Sequence, residues 1–354
     1  MKDFEFSQNY LFFYDQLEKS NLFLEGIIAT KDKPINDREV EWWFKHALGD
    51  GGIWNMMVDL VEKYGMVPKE AMPEAKNSEN TYVMSNLINC KLKEDGIRLR
   101  DLSEAGKSID VLRDKKTEML SDVYRMLVIT LGVPPKSFNW VFEDKDEKIV
   151  EKNNITPKEF YNDLISKTGV SLRDYVMMMN DPTKEYNNIY EIKYYRNRYD
   201  GTDWTYINLP NEILKKFAKK SILADEAMYF SCDVGKQLNL KDGVLELNQY
   251  DYESIFGVKF GMNKKERILS FESGSTHGMA LIGIDTTENG SVKKWLLENS
   301  YGPGEGHNGF LSMTDQWFDE FGFRLVVNKR FLSQDVLKIL DRKPIMLPPW
   351  DPMN

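Results

Sequence analysis

The hydrophobic periodicity of this chain changes from helical to strand-like at Pro134-Pro135. Before these prolines, apolar residues recur every three or four positions; after them, short apolar runs alternate with polar residues, as in β-strands. Two adjacent prolines end the helical part because proline lacks an amide donor and restricts the residue before it. A helical half followed by a β-rich half predicts an α+β fold.

The helical half is predicted to contain four helices. Ser7 is a suitable N-cap for the first helix. The second follows Gly51-Gly52 and ends at Gly65, which suits a C-terminal cap. Residues 76–132 read as two further helices joined by a polar turn. All four carry apolar residues at helical spacing, so each should bury one face.

The second half is predicted to be dominated by strands, with helices after Thr156-Pro157, over 210–223 and over 315–321. The predicted strands cover residues 227–234, 277–285, 293–299, 309–313 and 323–328. The tail, residues 344–354, contains four prolines and is predicted to be an extended arm without regular structure.

Composition excludes several classes of function. The 354 residues can bury a large core, and 42% hydrophobic with 29% charged residues is typical of a globular protein. The net charge of -9 disfavours nucleic-acid binding, and no apolar run is long enough to span a bilayer. Cys90 and Cys232 are the only cysteines, which suits a reducing cytoplasm, and the three histidines have no metal-ligand spacing. We therefore predict a cytoplasmic protein with no metal and no cofactor.

A histidine and an asparagine give the strongest chemical signal. His277 lies in Gly-Ser-Thr-His-Gly-Met-Ala at the start of a predicted strand, and Asn299 lies in Glu-Asn-Ser-Tyr-Gly at the end of the next. An imidazole can act as a general base, and an asparagine oxygen can accept its second ring N–H. Antiparallel strands would bring the two side chains together. Each motif alone is more often structural, and the prediction of a catalytic role rests on the resemblance of both motifs to a known family.

Together with Gly306-His-Asn-Gly-Phe310, these motifs resemble those of papain-like cysteine peptidases, in the bleomycin hydrolase and aminopeptidase C group. The resemblance covers essentially the whole chain. It implies a two-lobed papain-like fold with an incomplete helical left lobe and a β-rich right lobe with a helical insertion. The implied segments are 1–75, the remainder of the left lobe; 76–209, a largely helical insertion with connecting strands; 210–343, the right lobe; and 344–354, a C-terminal arm.

The resemblance implies a cysteine aminopeptidase that removes N-terminal residues from peptides through a thiolate–imidazolium pair. His277 would be the base and Asn299 the residue that orients it. Gly51 and Gly52 resemble the family's Gly-Gly strand, whose backbone pairs with the peptide, and glycine permits such close approach. The terminal carboxylate at Asn354 would pair with the free amino group of the substrate.

The chain departs from the family at two places. The nucleophilic cysteine of the group lies in a Gly-Arg-Cys-Trp type motif upstream of the segment where this chain begins. Cys232 is in a strand pattern beside Asp233, and Cys90 is on a helix among lysines, so neither is the predicted nucleophile. This chain is therefore predicted to be inactive alone. Tyr301 stands where the family usually has a tryptophan, and its smaller ring should shield the histidine less.

The resemblance also implies a homo-oligomer, a hexamer in this group, that acts on peptides. Two alternatives remain open at the level of sequence. One is a catalytically dead pseudo-peptidase, and the other is an oligomeric scaffold or binding subunit.

Overall fold

A computed structural model describes residues 4–144 and 146–354. The chain divides into two compact units, Met1–Ser171 with Arg196–Thr202, and Leu172–Tyr195 with Asp203–Asn354. Residues 1–3 of the predicted segment 1–75 and residue 145 of the predicted segment 76–209 lie outside the described residues. The four-segment division of the chain stays a prediction.

The first unit is mainly helical. Its helices are α1 (Gln8–Ala29), α2 (Arg38–Lys45), α3 (Trp54–Tyr64), α4 (Lys76–Glu79), α5 (Tyr82–Glu104), α6 (Ile109–Leu131) and α7 (Pro157–Thr168). Strands β1 (Phe138–Glu143) and β2 (Ile149–Ile155) form an antiparallel hairpin. Ser7 caps α1, Gly65 ends α3, and Thr156 caps α7. The predicted helices are confirmed, whereas the sequence did not single out α2.

Helix α1 forms the centre of this unit and packs against α3, α5 and α6. Phe13, Leu24 and Ile27 are fully buried on it. A side chain at Gly26 would overlap the indole ring of Trp43, so glycine permits α2 to approach α1 closely. Apolar burial of this extent is the main source of stability for a helical unit.

The second unit is built around one large sheet. Its strands are β3 (Tyr175–Met179), β4 (Asn188–Ile192), β5 (Trp204–Asn208), β6 (Met228–Cys232), β7 (Leu238–Asn239), β8 (Val244–Leu245), β9 (His277–Thr286), β10 (Val292–Glu298), β11 (Phe310–Thr314), β12 (Gly322–Asn328) and β13 (Ile345–Leu347). Within the described residues the strand order is β13-β4-β5-β3-β12-β6-β9-β10-β11-β8-β7. The helices are α8 (Asn211–Ile222), α9 (Tyr252–Phe256), α10 (Lys264–Leu269), α11 (Asp315–Phe321) and α12 (Gln334–Leu337).

Helices α8 and α11 pack on this sheet and close its hydrophobic core. Phe217 of α8 and Trp317 of α11 are buried there with Phe230 and Leu281 of the sheet. The five strands predicted for the second half are all present, so the α+β prediction is confirmed. None of the helices in the described part of the chain has the length and hydropathy needed to cross a membrane.

The tail differs from the prediction at one point. We expected residues 344–354 to lack regular structure, but Ile345–Leu347 forms β13 and pairs in parallel with β4. The prolines lie at 344, 348, 349 and 352, so they flank this tripeptide without interrupting it. Its three amides remain available for strand pairing, which explains why a proline-rich tail extends the sheet.

Candidate active site

The two residues singled out by the sequence meet in the second unit. His277 opens β9, Asn299 follows directly after β10, and the two strands are antiparallel neighbours. The His277 Nε2 atom lies 2.8 Å from Asn299 Oδ1. Both side chains are partly buried. The predicted approach of the two side chains is therefore present.

The orientation of the asparagine amide determines which ring nitrogen carries the proton. Asn299 Oδ1 also accepts a hydrogen bond from the Ser300 N–H at 2.9 Å, which identifies this atom as the oxygen. An amide oxygen only accepts, so His277 donates its Nε2–H to it. The Nδ1 lone pair of the neutral ring is then the position that can take a proton.

The sheet fixes both ends of this pair. His277 lies opposite Cys232 of β6, and Glu298, the last residue of β10, lies opposite Ala280 of β9. The Asn299 N–H donates to Gly309 O at 3.0 Å, which anchors the chain beyond the end of β10. Strand register, set by the alternation of buried and exposed residues, thus decides where both side chains stand.

A buried carboxylate holds the loop that leads into the histidine. Asp233 is 6% exposed and accepts a hydrogen bond from Ser273 Oγ at 2.7 Å, and Thr276 Oγ1 lies 3.4 Å from its second oxygen. The Thr276 N–H donates to Cys232 O at 3.0 Å. Sequence reasoning used Asp233 only as a neighbour of Cys232. The residues around Asp233 in the sequence do not predict its contact with this loop, because its partners lie about 40 residues further along the chain.

An aromatic ring covers the pair from one side. The centroid of the Tyr301 ring lies 5.0 Å from that of His277, with the planes tilted by 39°. Tyr301 is nevertheless 45% exposed. The ring contacts the imidazole while leaving solvent access, as expected for a phenol at this position.

Cys232 is not placed to act as the nucleophile of this pair. Cys232 lies opposite His277 in the sheet, but it is fully buried and belongs to the hydrophobic core. Burial first, and the neighbouring Asp233 second, raise the pKa of the Cys232 thiol well above its usual value. Cys90 is exposed on α5 in the first unit. A thiol in this environment packs as a small hydrophobic side chain.

The glycine segment predicted to bind substrate lies in the first unit, directly before α3. Gly51 and Gly52 are exposed. The backbone of Gly49, Gly51 and Gly52 lies outside the left-handed region, and a Cβ at any of them would meet no atom within 4 Å. Neither backbone conformation nor packing within the chain requires glycine here. The segment also borders an open polar cavity of about 460 Å³.

A buried arginine and a partly buried lysine hold the C-terminal arm in the second unit. The Arg324 guanidinium, 2% exposed, donates to Met353 O, and the Lys184 ammonium lies 3.1 Å from the Asp351 carboxylate. Lys184 also pairs with the buried Asp181 at 2.6 Å. Burial lowers the pKa of Lys184, but the two carboxylates outweigh this and raise it above its usual value. The arm is therefore held by a hydrogen bond from Arg324 and an ion pair with Lys184, as well as by the pairing of β13 with β4.

The end of the arm lies near the loop that enters β9. Gly274 lies three residues before His277, and a Cβ on it would lie 3.8 Å from Pro352 O. Asn354 itself is exposed, and its N–H donates to Asp351 O at 2.9 Å. Asn354 and His277 belong to the second unit, whereas Gly51 and Gly52 belong to the first.

No cluster of three or more histidine, cysteine, aspartate or glutamate side chains is arranged to bind a metal ion among residues 4–144 and 146–354.

The sequence and the fold match a known family and several known proteins. The sequence profile of the Peptidase C1-like family matches residues 1–354. Bleomycin hydrolase of Mus musculus is 39% identical over 361 residues, covering 100% of this chain and 79% of that protein. Aminopeptidase C of Listeria monocytogenes is 39% identical over 356 residues with the same coverage. The crystal structure of PepW from Lactobacillus rhamnosis matches with a TM-score of 0.95 at 36% identity, over 100% of this chain and 79% of that one.

Proposed function

The chain belongs to the Peptidase C1-like family, and from that premise we propose that it provides the base and the substrate-binding groups of a cysteine aminopeptidase. The observation that carries this proposal is the 2.8 Å contact between His277 Nε2 and Asn299 Oδ1. It is the arrangement in which an imidazole is held in one tautomer with its other nitrogen ready to take a proton.

His277 acts as the general base and then as the general acid. Its Nδ1 takes the proton of a cysteine thiol, and the thiolate attacks the carbonyl carbon of the first peptide bond. The leaving amine takes the proton from the imidazolium, and an acyl thioester remains. Water then hydrolyses the thioester, with His277 again taking a proton. Asn299 keeps the ring in the orientation that these transfers need.

The substrate is a peptide with a free amino terminus. The backbone of Gly51 and Gly52 pairs with the peptide backbone, which their open surroundings support. The carboxylate at Asn354 pairs with the substrate amine, and the position of Pro352 beside the loop before His277 supports this role. An ion pair at a free amine would restrict cleavage to the first residue.

The thiol comes from residues outside the 354 described by this sequence. Cys232 is buried with a raised pKa, and Cys90 lies in Ile-Asn-Cys-Lys, which is unlike the Gly-Arg-Cys-Trp type motif of the group, so we expect neither to supply it. We therefore expect the 354-residue chain to lack peptidase activity by itself.

The enzyme works as a cytoplasmic homo-oligomer, a hexamer by family resemblance. Large apolar side chains exposed on α9 and just after it, among them Ile255, Phe256 and Phe260, support association between copies. Both cysteines are free thiols, which suits a reducing compartment. Light scattering coupled to size-exclusion chromatography measures the oligomeric state, and a monomer at micromolar concentration would contradict this assembly.

Hydrolysis of an unblocked aminoacyl-aminomethylcoumarin tests the enzymatic proposal. We expect no hydrolysis by the 354-residue chain, and hydrolysis by a form extended upstream with the cysteine-bearing segment of an aminopeptidase C relative. In that form His277→Ala should lower kcat/KM by about 10²- to 10⁴-fold, because the base is lost. Asp242→Asn, at an exposed turn of the same unit, is the matched control and should change little.

Two results would contradict the proposal. One is activity of the extended form that persists after His277→Ala. The other is equal cleavage of the N-acetylated substrate, which would exclude recognition of the free amine. Circular dichroism of each form separates a loss of chemistry from a loss of folding.

A further inference from the structure

Lys19 of α1 is hydrogen-bonded to the backbone of the glycine segment. Its Nζ atom lies 3.0 Å from Gly49 O and 2.6 Å from Gly51 O, and 2.6 Å from the Asp15 carboxylate one turn earlier on α1. An ammonium group has three N–H donors. Two carbonyls and one carboxylate therefore satisfy the whole donor capacity of this side chain.

The carboxylate partner of Lys19 is itself fixed. Asp15 accepts a hydrogen bond from Asn197 Nδ2 at 2.9 Å, and the same amide lies 3.3 Å from Met56 O in α3. Gln16 Nε2 lies 3.2 Å from Asp15 and 3.0 Å from Gly49 O. Asn197 is fully buried, and Asp15 is 8% exposed. The ammonium is thus held before any ligand arrives.

The glycine segment needs an external restraint because it has little of its own. Three of its four residues, 49–52, are glycines, which lose more conformational freedom on ordering than any other residue. Gly51 and Gly52 have no side chains that could pack against the unit. Hydrogen bonds from Lys19 to two carbonyls fix the segment at alternate residues, Gly49 and Gly51.

Lys19 binds the carbonyls of Gly49 and Gly51 and leaves the next residue, Gly52, exposed. A peptide that adds to this segment as a strand can pair with this exposed backbone.

We propose that Lys19 is a positioning residue that orders the Gly49–Gly52 segment for binding of a peptide backbone. This inference rests on the proposed function, in which Gly51 and Gly52 pair with the peptide. Lys19 does not touch the peptide and takes no part in proton transfer. Its effect is on peptide affinity, and it acts through the two carbonyls.

The test is a peptide titration of the 354-residue chain followed by amide NMR, with trialanine bearing a free amino group as the probe. Binding needs no thiol, so the experiment is independent of turnover. In the wild-type chain, the amide signals of Gly51 and Gly52 should shift on addition of trialanine. Lys19→Met should change these signals without peptide and weaken trialanine binding by about tenfold, because charged donors are lost.

Two further variants separate positioning from general stability. Lys19→Arg keeps a charged multiple donor and should restore binding to within about twofold of the wild type. Lys91→Met is the matched control: Lys91 pairs with the buried Asp95 at 2.7 Å, four residues apart on α5. It removes a similar helical ion pair and should leave the Gly51 and Gly52 signals in place.

The outcomes are distinguishable. Absence of any peptide-induced shift at Gly51 and Gly52 in the wild type would overturn the proposed substrate role, and this inference with it. Shifts in the wild type together with unchanged affinity in Lys19→Met would overturn the inference alone. If Lys19→Met fails to fold, Lys19→Gln takes its place, because its shorter side chain loses reach to the carbonyls. Wild-type affinity in that variant would also overturn the positioning role.

Discussion

The His277–Asn299 pair and the Gly49–Gly52 segment are held in place by different kinds of interaction. The pair stands at the ends of two antiparallel strands, so the backbone ladder of the sheet determines its geometry. The glycine segment has no strand partner among the described residues, and side chains of α1 hold its carbonyls instead.

The two regions should therefore respond differently to side-chain substitutions. A single change in the large sheet leaves many backbone hydrogen bonds intact, so the position of His277 should tolerate most surface substitutions. The glycine segment depends on Lys19 and Gln16, and loss of one donor leaves carbonyls without a partner. The region around His277 also has a few side-chain hydrogen bonds. Removing one of them is the strongest test of this comparison.

Asp233 is such a contact, and its removal should have the largest effect on stability. Asp233→Ala leaves the buried Ser273 hydroxyl without its acceptor, which we expect to cost about 1–3 kcal/mol of unfolding free energy. A double-mutant cycle with Ser273→Ala, measured by urea unfolding, isolates the coupling between the two residues. If the loss of unfolding free energy in the double variant equals the sum of the losses in the two single variants, the two residues are not coupled. The sheet alone would then hold the loop.

Lys264 offers a second comparison, because it also donates to two backbone carbonyls. Its Nζ lies 2.6 Å from Gly322 O and 3.1 Å from Asp319 O, but no carboxylate among the described residues pairs with it as Asp15 pairs with Lys19. Burial lowers the pKa of Lys264 from 10.5 to about 7. Between these pH values the unfolded chain binds a proton that the folded chain lacks, so folding becomes more favourable as pH rises.

We expect Lys264 to increase the free energy of unfolding by at most about 1.4 kcal/mol for each pH unit between pH 7 and pH 10. The contribution should vanish in Lys264→Met and persist in Lys265→Met, since Lys265 is exposed. Urea unfolding of the three chains at pH 7, 8 and 9 measures the difference. An equal pH slope in Lys264→Met and the wild type would show that Lys264 keeps its charge in the folded state.

Tyr301→Trp should have the smallest effect and would sharpen the description of the His277 site. The larger ring covers more of the His277–Asn299 hydrogen bond, and we expect exchange of the His277 Nε2 proton with water to slow about twofold. Proton NMR with water saturation measures this exchange. Tyr250→Trp, at a tyrosine of similar exposure elsewhere in the unit, is the control. Unchanged or faster exchange in Tyr301→Trp would mean that the ring does not shield the bond.

Local patterns were enough to predict most of the elements. Ser7 and Thr156 cap helices as their residue types predict, and Gly65 ends α3. Strand alternation located β9 and β10, and with them the pair that meets at their ends. The prediction that residues 344–354 are irregular was wrong, because proline content was weighed without the three free amides between the prolines.

The sequence by itself determined the α+β character, the motifs around His277 and Asn299, and the separation of these residues by one strand, a turn and a returning strand. Such features depend on neighbouring positions, so propensity and periodicity suffice to read them. Only the tertiary structure decided that Cys232 is buried opposite His277, that Asp233 holds the Ser273 loop, and that Lys19 orders the glycine segment. Ser273 is 40 residues from Asp233, and Lys19 is 32 from Gly51, so these contacts exist only once the chain has folded.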